Sequence, residues 1–139
     1  MIKVVEIIAN GGPEKILWVD RKLEGLKPGQ VTIKHTFVGL NFIDTYHRSG
    51  LYPLPMPSKL GMEGAGEIID KSSDVNEYEI GDRVAYVMAL GSYSTHRNIE
   101  ANKLVKIPKN ITDQQAAAVL LKGMTVEYLL ERLYKISKN

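Results

Sequence analysis

"QVTIKHTFVGLNFIDTYHRSGLYP", residues 30–53, changes its period halfway along. From Gln30 to Val38 the side chains alternate, with Val31, Ile33, His35 and Phe37 on one side, which predicts a strand. At Asn41 the alternation stops. Asn41 is a good helix cap, Asp44 lies near the positive end of the helix that would follow, and Gly50 suits a left-handed close. A short helix is therefore predicted, with Phe42, Tyr46 and Ser49 clustered at offsets of three and four residues. Tyr52 then falls in a loop stiffened by Pro53, Pro55 and Pro57.

Further strands are predicted over 2–8, 15–23, 62–70, 82–89, 92–99 and 103–107, separated by turn signals such as "NGGPE" and Gly81-Asp82. Many short strands at close spacing predict a mainly β fold, a compact and partly open β-barrel. The texture changes at "ITDQQAAAVLLKG", where Thr112 and Gln115 stand in capping-box positions, an Ala/Leu run follows, and Gly123 offers a stop. "TVEYLLERLYKI" then places Val126, Leu129, Leu130, Leu133 and Ile136 at helical spacing. Two C-terminal helices are expected, the second (124–136) with an apolar face that wants a partner.

With 139 residues the chain is most economically one domain. A formal charge of +2, its basic residues scattered among acidic ones, gives no case for nucleic acid. Without cysteine, disulfides and thiolate zinc sites are excluded. No apolar run is long enough for a membrane span, and "MIKVVEIIANGG" reads as a first strand rather than a signal peptide, so a cytoplasmic location is expected.

"VGLNFIDTYHRSGLYPLP" resembles the first active-site segment of the zinc-independent quinone oxidoreductases of the medium-chain dehydrogenase/reductase superfamily. "NGGPEKI", "LGMEGAGEI", "GDRVAY", "GSYSTHRNIEANKLVKIP" and "QAAAVLLKGMTVEYLLERLYKI" resemble further segments of that family, in the same order. The resemblance implies a GroES-like catalytic domain over 1–122 and, over 123–139, the start of a helical connection to a Rossmann domain absent from these residues. It implies hydride transfer from NADP(H) to a quinone, with most of the cofactor's site in the absent domain and with little activity for this portion alone. Carried over by position, Asn41, Asp44, Tyr46 and Tyr52 become the catalytic candidates. Asn41, Phe42, Ile43, Tyr46, Lys122 and Thr125 become the cofactor-binding ones.

The zinc-dependent relatives carry Cys where Asn41 stands and "GHE" where this chain reads Gly61-Met62-Glu63; amide and thioether are poor zinc ligands, so no zinc is expected. "GMEGAG" has its glycines in the order GxxGxG rather than GxGxxG, and close backbone packing explains them better than phosphate binding. His35, His47 and His96 lack metal-ligand spacing and are read as surface or hydrogen-bonded residues, His47 replacing a residue that is aliphatic in most of the family. Arg48 is read as a brace for the loop. Two other readings stay open: a stand-alone interaction barrel, pairing through helix 124–136 with itself or with a separate Rossmann half, and a reductase of another small electrophile such as an enone.

Overall fold

The computed structural model describes residues 1–134. Eight strands form two sheets: β1 (Ile2–Ile7), β2 (Leu17–Arg21), β3 (Gln30–Gly39), β4 (Ser58–Lys59), β5 (Glu63–Lys71), β6 (Arg83–Val87), β7 (His96–Glu100) and β8 (Val105–Lys106). Helix α1 (Phe42–Ser49) follows β3, and helix α2 (Asp113–Glu127) follows β8. The smaller sheet has the order β2-β1-β4 and the larger β7-β3-β5-β6-β8, all pairs antiparallel. The sheets do not close on each other, so the architecture is the partly open barrel that the strand spacing predicts.

The central strands β3 and β5 carry the main core. Val31, Ile33, Ile68, Val84 and Ile99 are fully enclosed, with Tyr86 and Val75 beside them. Phe37 was expected to share their face, yet it is 45% exposed. The pairing with β5 shifts register between His35 and Phe37, a bulge beyond which Phe37 and Val38 both stand exposed. The glycines of "GMEGAG" do what close packing asks of them. A side chain on Gly66 would meet the Lys34 carbonyl, and Gly61, at φ +91°, lies against Ser92 and Tyr93.

Helix α2 begins as predicted. The Thr112 hydroxyl accepts the Gln115 N–H (3.1 Å), and the Gln115 side chain accepts the Thr112 N–H (2.9 Å). It packs Ala116, Ala117 and Leu120 against Ala65, Ala85 and Ile107. Its end differs from the sequence reading. Gly123 does not stop it; the helix continues to Glu127 and passes into a π-helical segment, Tyr128–Leu133. A glycine within a helix costs only about 1 kcal/mol, and the good helix formers on either side of Gly123 carry the chain through. Two helical segments are thus present, joined at Glu127–Tyr128. Val126, Leu129, Leu130 and Leu133 are exposed, and Ile136 lies outside the described residues.

Candidate active site

The bulged end of β3 delivers the chain to α1, whose first turn is built as the sequence predicts. Asp44 reaches back so that its Oδ2 accepts the Asn41 backbone N–H (2.9 Å), and Gly50 closes the helix at φ +87°. Asp44 is buried, and its Oδ2 also accepts the Tyr93 hydroxyl (2.7 Å). Burial, and then donation to the Asp44 carboxylate, push the Tyr93 phenol well above its ordinary range, so it stays a neutral donor.

Because the backbone makes this cap, the Asn41 side chain is left for another task. Its Nδ2 donates to Glu63 Oε2 (2.9 Å), and its Oδ1 accepts from Lys122 Nζ (2.8 Å). Glu63 is wholly buried at the start of β5. Its other oxygen accepts the Leu121 backbone N–H of α2 (2.7 Å), and Lys122 Nζ lies 3.4 Å from Oε2. A buried carboxylate requires such donors and a counter-charge, and here both come from elements that converge only in the folded chain. Gly39 is what lets them converge: a Cβ there would strike the Glu63 carboxylate and the Ala117 carbonyl.

Tyr46, on α1, and Tyr52, in the loop after it, form an edge-to-face pair, with ring centroids 5.3 Å apart at 67°. Tyr52 is half exposed, and the Tyr52 backbone N–H donates to the Tyr46 carbonyl (3.2 Å), holding the loop against the helix. Phe42 is exposed at the start of α1 and Ile43 half-buried. The structure therefore joins Asn41 and Lys122 directly, and joins Tyr46 to Tyr52. Asp44 faces inward to Tyr93 rather than into the Glu63 network. Thr125 is one turn beyond Lys122, with its hydroxyl donated to the Leu121 carbonyl (2.9 Å).

Arg48 braces as expected: its Nε donates to the Gly11 carbonyl (3.2 Å), and the Gly11 N–H donates to the Arg48 carbonyl (3.0 Å). His35 is enclosed between Ser94 and Tyr86, and His47 is buried with its ring 6.4 Å from that of Tyr52. Among the described residues no three His, Asp or Glu side chains converge as a metal ion would require, and no helix is long and apolar enough to cross a membrane. Sequence reasoning missed Glu63 and Tyr93. A lone carboxylate inside the otherwise apolar and glycine-rich "LGMEGAG" was the available signal for Glu63; nothing marked Tyr93.

The cap of α1 offers donors, and the helix and the loop after it offer an aromatic pair. Asn41 has one N–H beyond the one given to Glu63, and the Lys122 side chain is about half exposed. Such a site can grip a flat molecule through its face and an acceptor oxygen through its edge.

Residues 27–109 match the family described as the alcohol dehydrogenase GroES-like domain. The chain is 46% identical over 138 residues to the quinone oxidoreductase of Pseudomonas aeruginosa, covering 98% of this chain and 42% of that protein. It is 37% identical over 143 residues to the 2-haloacrylate reductase of a Burkholderia species, covering 98% of this chain and 43% of that protein. The solved structure of Escherichia coli quinone oxidoreductase complexed with NADPH superposes with a TM-score of 0.94 at 43% identity, covering 97% of this chain and 42% of that one. The chain thus spans about two fifths of the length of the relatives that it matches.

Proposed function

Since the chain belongs to the alcohol dehydrogenase GroES-like domain family, we propose that its residues form the catalytic portion of an NADPH-dependent quinone oxidoreductase. The observation that carries this reading is the Asn41–Glu63–Lys122 donor network built at the cap of α1, the helix that also carries Tyr46 of the Tyr46–Tyr52 aromatic pair. Residues 1–122 make the catalytic domain and 123–139 begin the connection to a cofactor-binding partner domain, which supplies most of the NADP(H) site. No zinc takes part.

The residues present suit a nicotinamide. Asn41 and Lys122 offer hydrogen-bond donors to its carboxamide oxygen, Phe42, Ile43 and Tyr46 an apolar flank, and Thr125 a position one turn along α2. When bound, the cofactor supplies a hydride. This chain's own contribution is to orient and to stabilise: Tyr46 and Tyr52 flank a planar acceptor, and their hydroxyls donate to the oxygen on which negative charge develops. Asp44, fixed by Tyr93 and by the Asn41 N–H, holds the first turn of α1 and so the approach of Asn41 and Tyr46.

A portion lacking the partner domain loses the binding energy of the distant adenosine and phosphates, so the chain alone turns over poorly. The test is NADPH oxidation with duroquinone, using the chain alone and the chain mixed with a separately produced cofactor-binding half. Quinone-dependent oxidation restored only in the mixture is expected; a folded and associated pair that stays inert refutes the reading. The likeness to 2-haloacrylate reductase favours a second acceptor class, an activated carbon–carbon double bond. Running the same mixture with 2-chloroacrylate separates the two.

A further inference from the structure

We propose that Glu63 is a positioning residue that fixes which way round the Asn41 side chain stands, and so restricts the site to ligands that present a hydrogen-bond acceptor. An amide has a donor end and an acceptor end of nearly the same shape, and its orientation is decided by its neighbours. Here the neighbours are unambiguous. The Glu63 carboxylate only accepts, and lies 2.9 Å from Asn41 Nδ2; the Lys122 ammonium only donates, and lies 2.8 Å from Asn41 Oδ1. Turning the amide over would set oxygen against carboxylate and N–H against ammonium, two repulsions in place of two charge-assisted bonds. Glu63 is held in turn by the Leu121 N–H at 2.7 Å, so the carboxylate cannot rotate away without giving up a charge-assisted bond from α2. What Glu63 turns toward a ligand is the second Asn41 N–H, beside the rest of the Lys122 ammonium, while Oδ1 with its remaining lone pair is kept on the Lys122 side. The oxygen of a carbonyl or an oxyanion meets these donors; a hydroxyl or amine that must donate finds no acceptor of this pair turned toward it.

Glu63→Gln tests this because it keeps the shape and removes the one-way preference. The Leu121 N–H then claims the oxygen of the introduced amide, and the nitrogen of that amide faces Asn41. Lys122 still draws Oδ1 to its own side, so the turned Asn41 amide is expected once that cation is also removed, in Glu63→Gln/Lys122→Met. In side-chain NMR of the full chain, strong NOEs from the Asn41 Hδ2 protons to the side chain at position 122 are expected in the double variant and not in the wild type. Those NOEs in the wild type, which needs no variant to fold, overturn the proposal, and so does an unturned Asn41 amide in the folded double variant. Lys122→Met leaves Glu63 in command, so Asn41 stays in its original orientation; a turned amide there also overturns it. The consequence for ligands rests on the quinone reading and is measured separately, by titrating duroquinone while following Tyr46, Tyr52 and Asn41. Loss of one fixed donor weakens binding about tenfold in the double variant relative to Lys122→Met. If duroquinone moves none of these signals in the wild type, the quinone reading fails while the NOEs still decide the role of Glu63. If it binds Lys122→Met and the double variant alike, the restriction to acceptors is wrong.

Discussion

His35 should make the fold lose stability in mild acid. The ring is enclosed in the bulged half of β3, with Nδ1 2.7 Å from the Ser94 carbonyl and Nε2 2.7 Å from the Tyr86 hydroxyl. The carbonyl can only accept, so Nδ1 carries the proton and Nε2 accepts from Tyr86. Arg97 donates to that same hydroxyl at 3.2 Å and lies over the Tyr86 ring at 5.0 Å, so a proton on Nε2 would displace the tyrosine donor beside a guanidinium. Burial above all, and then the Arg97 charge, take the His35 pKa from 6.5 down to about 4. Between those values the unfolded chain binds a proton that the folded one refuses. The stability that His35 contributes is therefore complete above pH 6.5 and drains away as the pH falls toward 4. A gap of that width corresponds to about 3 kcal/mol by pH 4. The assay is urea unfolding of the wild type and of His35→Gln at steps from pH 7 to pH 4. Carboxylates held below their ordinary range, such as Asp82 and Glu100, act on both proteins alike and cancel in the difference. The wild type should lose about 3 kcal/mol more than the variant across this range. A difference that stays level with pH would refute the claim that the ring is held neutral by its surroundings.

Lys122→Met strips the buried Glu63 carboxylate of the cation beside it and should lower stability by about 1–2 kcal/mol in chemical unfolding, with the Asn41 and Leu121 donors limiting the loss. Gly39→Ala drives a methyl group into the Glu63 carboxylate and the Ala117 carbonyl; a fall of about 1–3 kcal/mol is expected, with chemical-shift changes centred on Leu121. Tyr93→Phe removes one of the two donors to Asp44 Oδ2 and should cost about 1–2 kcal/mol by thermal unfolding, α1 losing amide protection before β3 does.

What was legible in the sequence is what short-range chemistry decides. Asn41, Asp44 and Gly50 fix both ends of α1 from within ten residues, and Thr112 and Gln115 fix the start of α2 in the same way. The exposure of Phe37 was not legible, because the bulge that precedes it arises in the pairing of β3 with β5 and leaves the alternation of β3 itself unbroken. The length of α2 was misread for a related reason: a glycine stops a helix only where the chain takes up a left-handed turn, and Gly123 lies inside a helix that packs over β3, β5 and β6. As for the site, Asn41 and Lys122 were named as separate candidates, but the group that unites them was invisible. Glu63 meets Asn41 across 22 positions of sequence and Lys122 across 59, and no local pattern records a contact at such range. Asp44 is a catalytic candidate by resemblance alone, and the contact of its Oδ2 with Tyr93, 49 positions away, is one that no local pattern records.

The paired hydrogen bonds between Gly11 and Arg48 bear on how much polypeptide the site needs. They clamp the first turn of the chain beneath the end of α1, where a side chain on Gly50 would run into Asn10. The segment matched by the GroES-like domain family covers 27–109, which omits both Gly11 of this clamp and the Leu121 and Lys122 contacts with Glu63. The piece that holds Asn41 and the end of α1 in place is therefore wider at both ends than that segment. Trimming to that segment would leave α1 held by Asp44–Tyr93 and Asn41–Glu63 at its first turn and without the Gly11 anchor at its end.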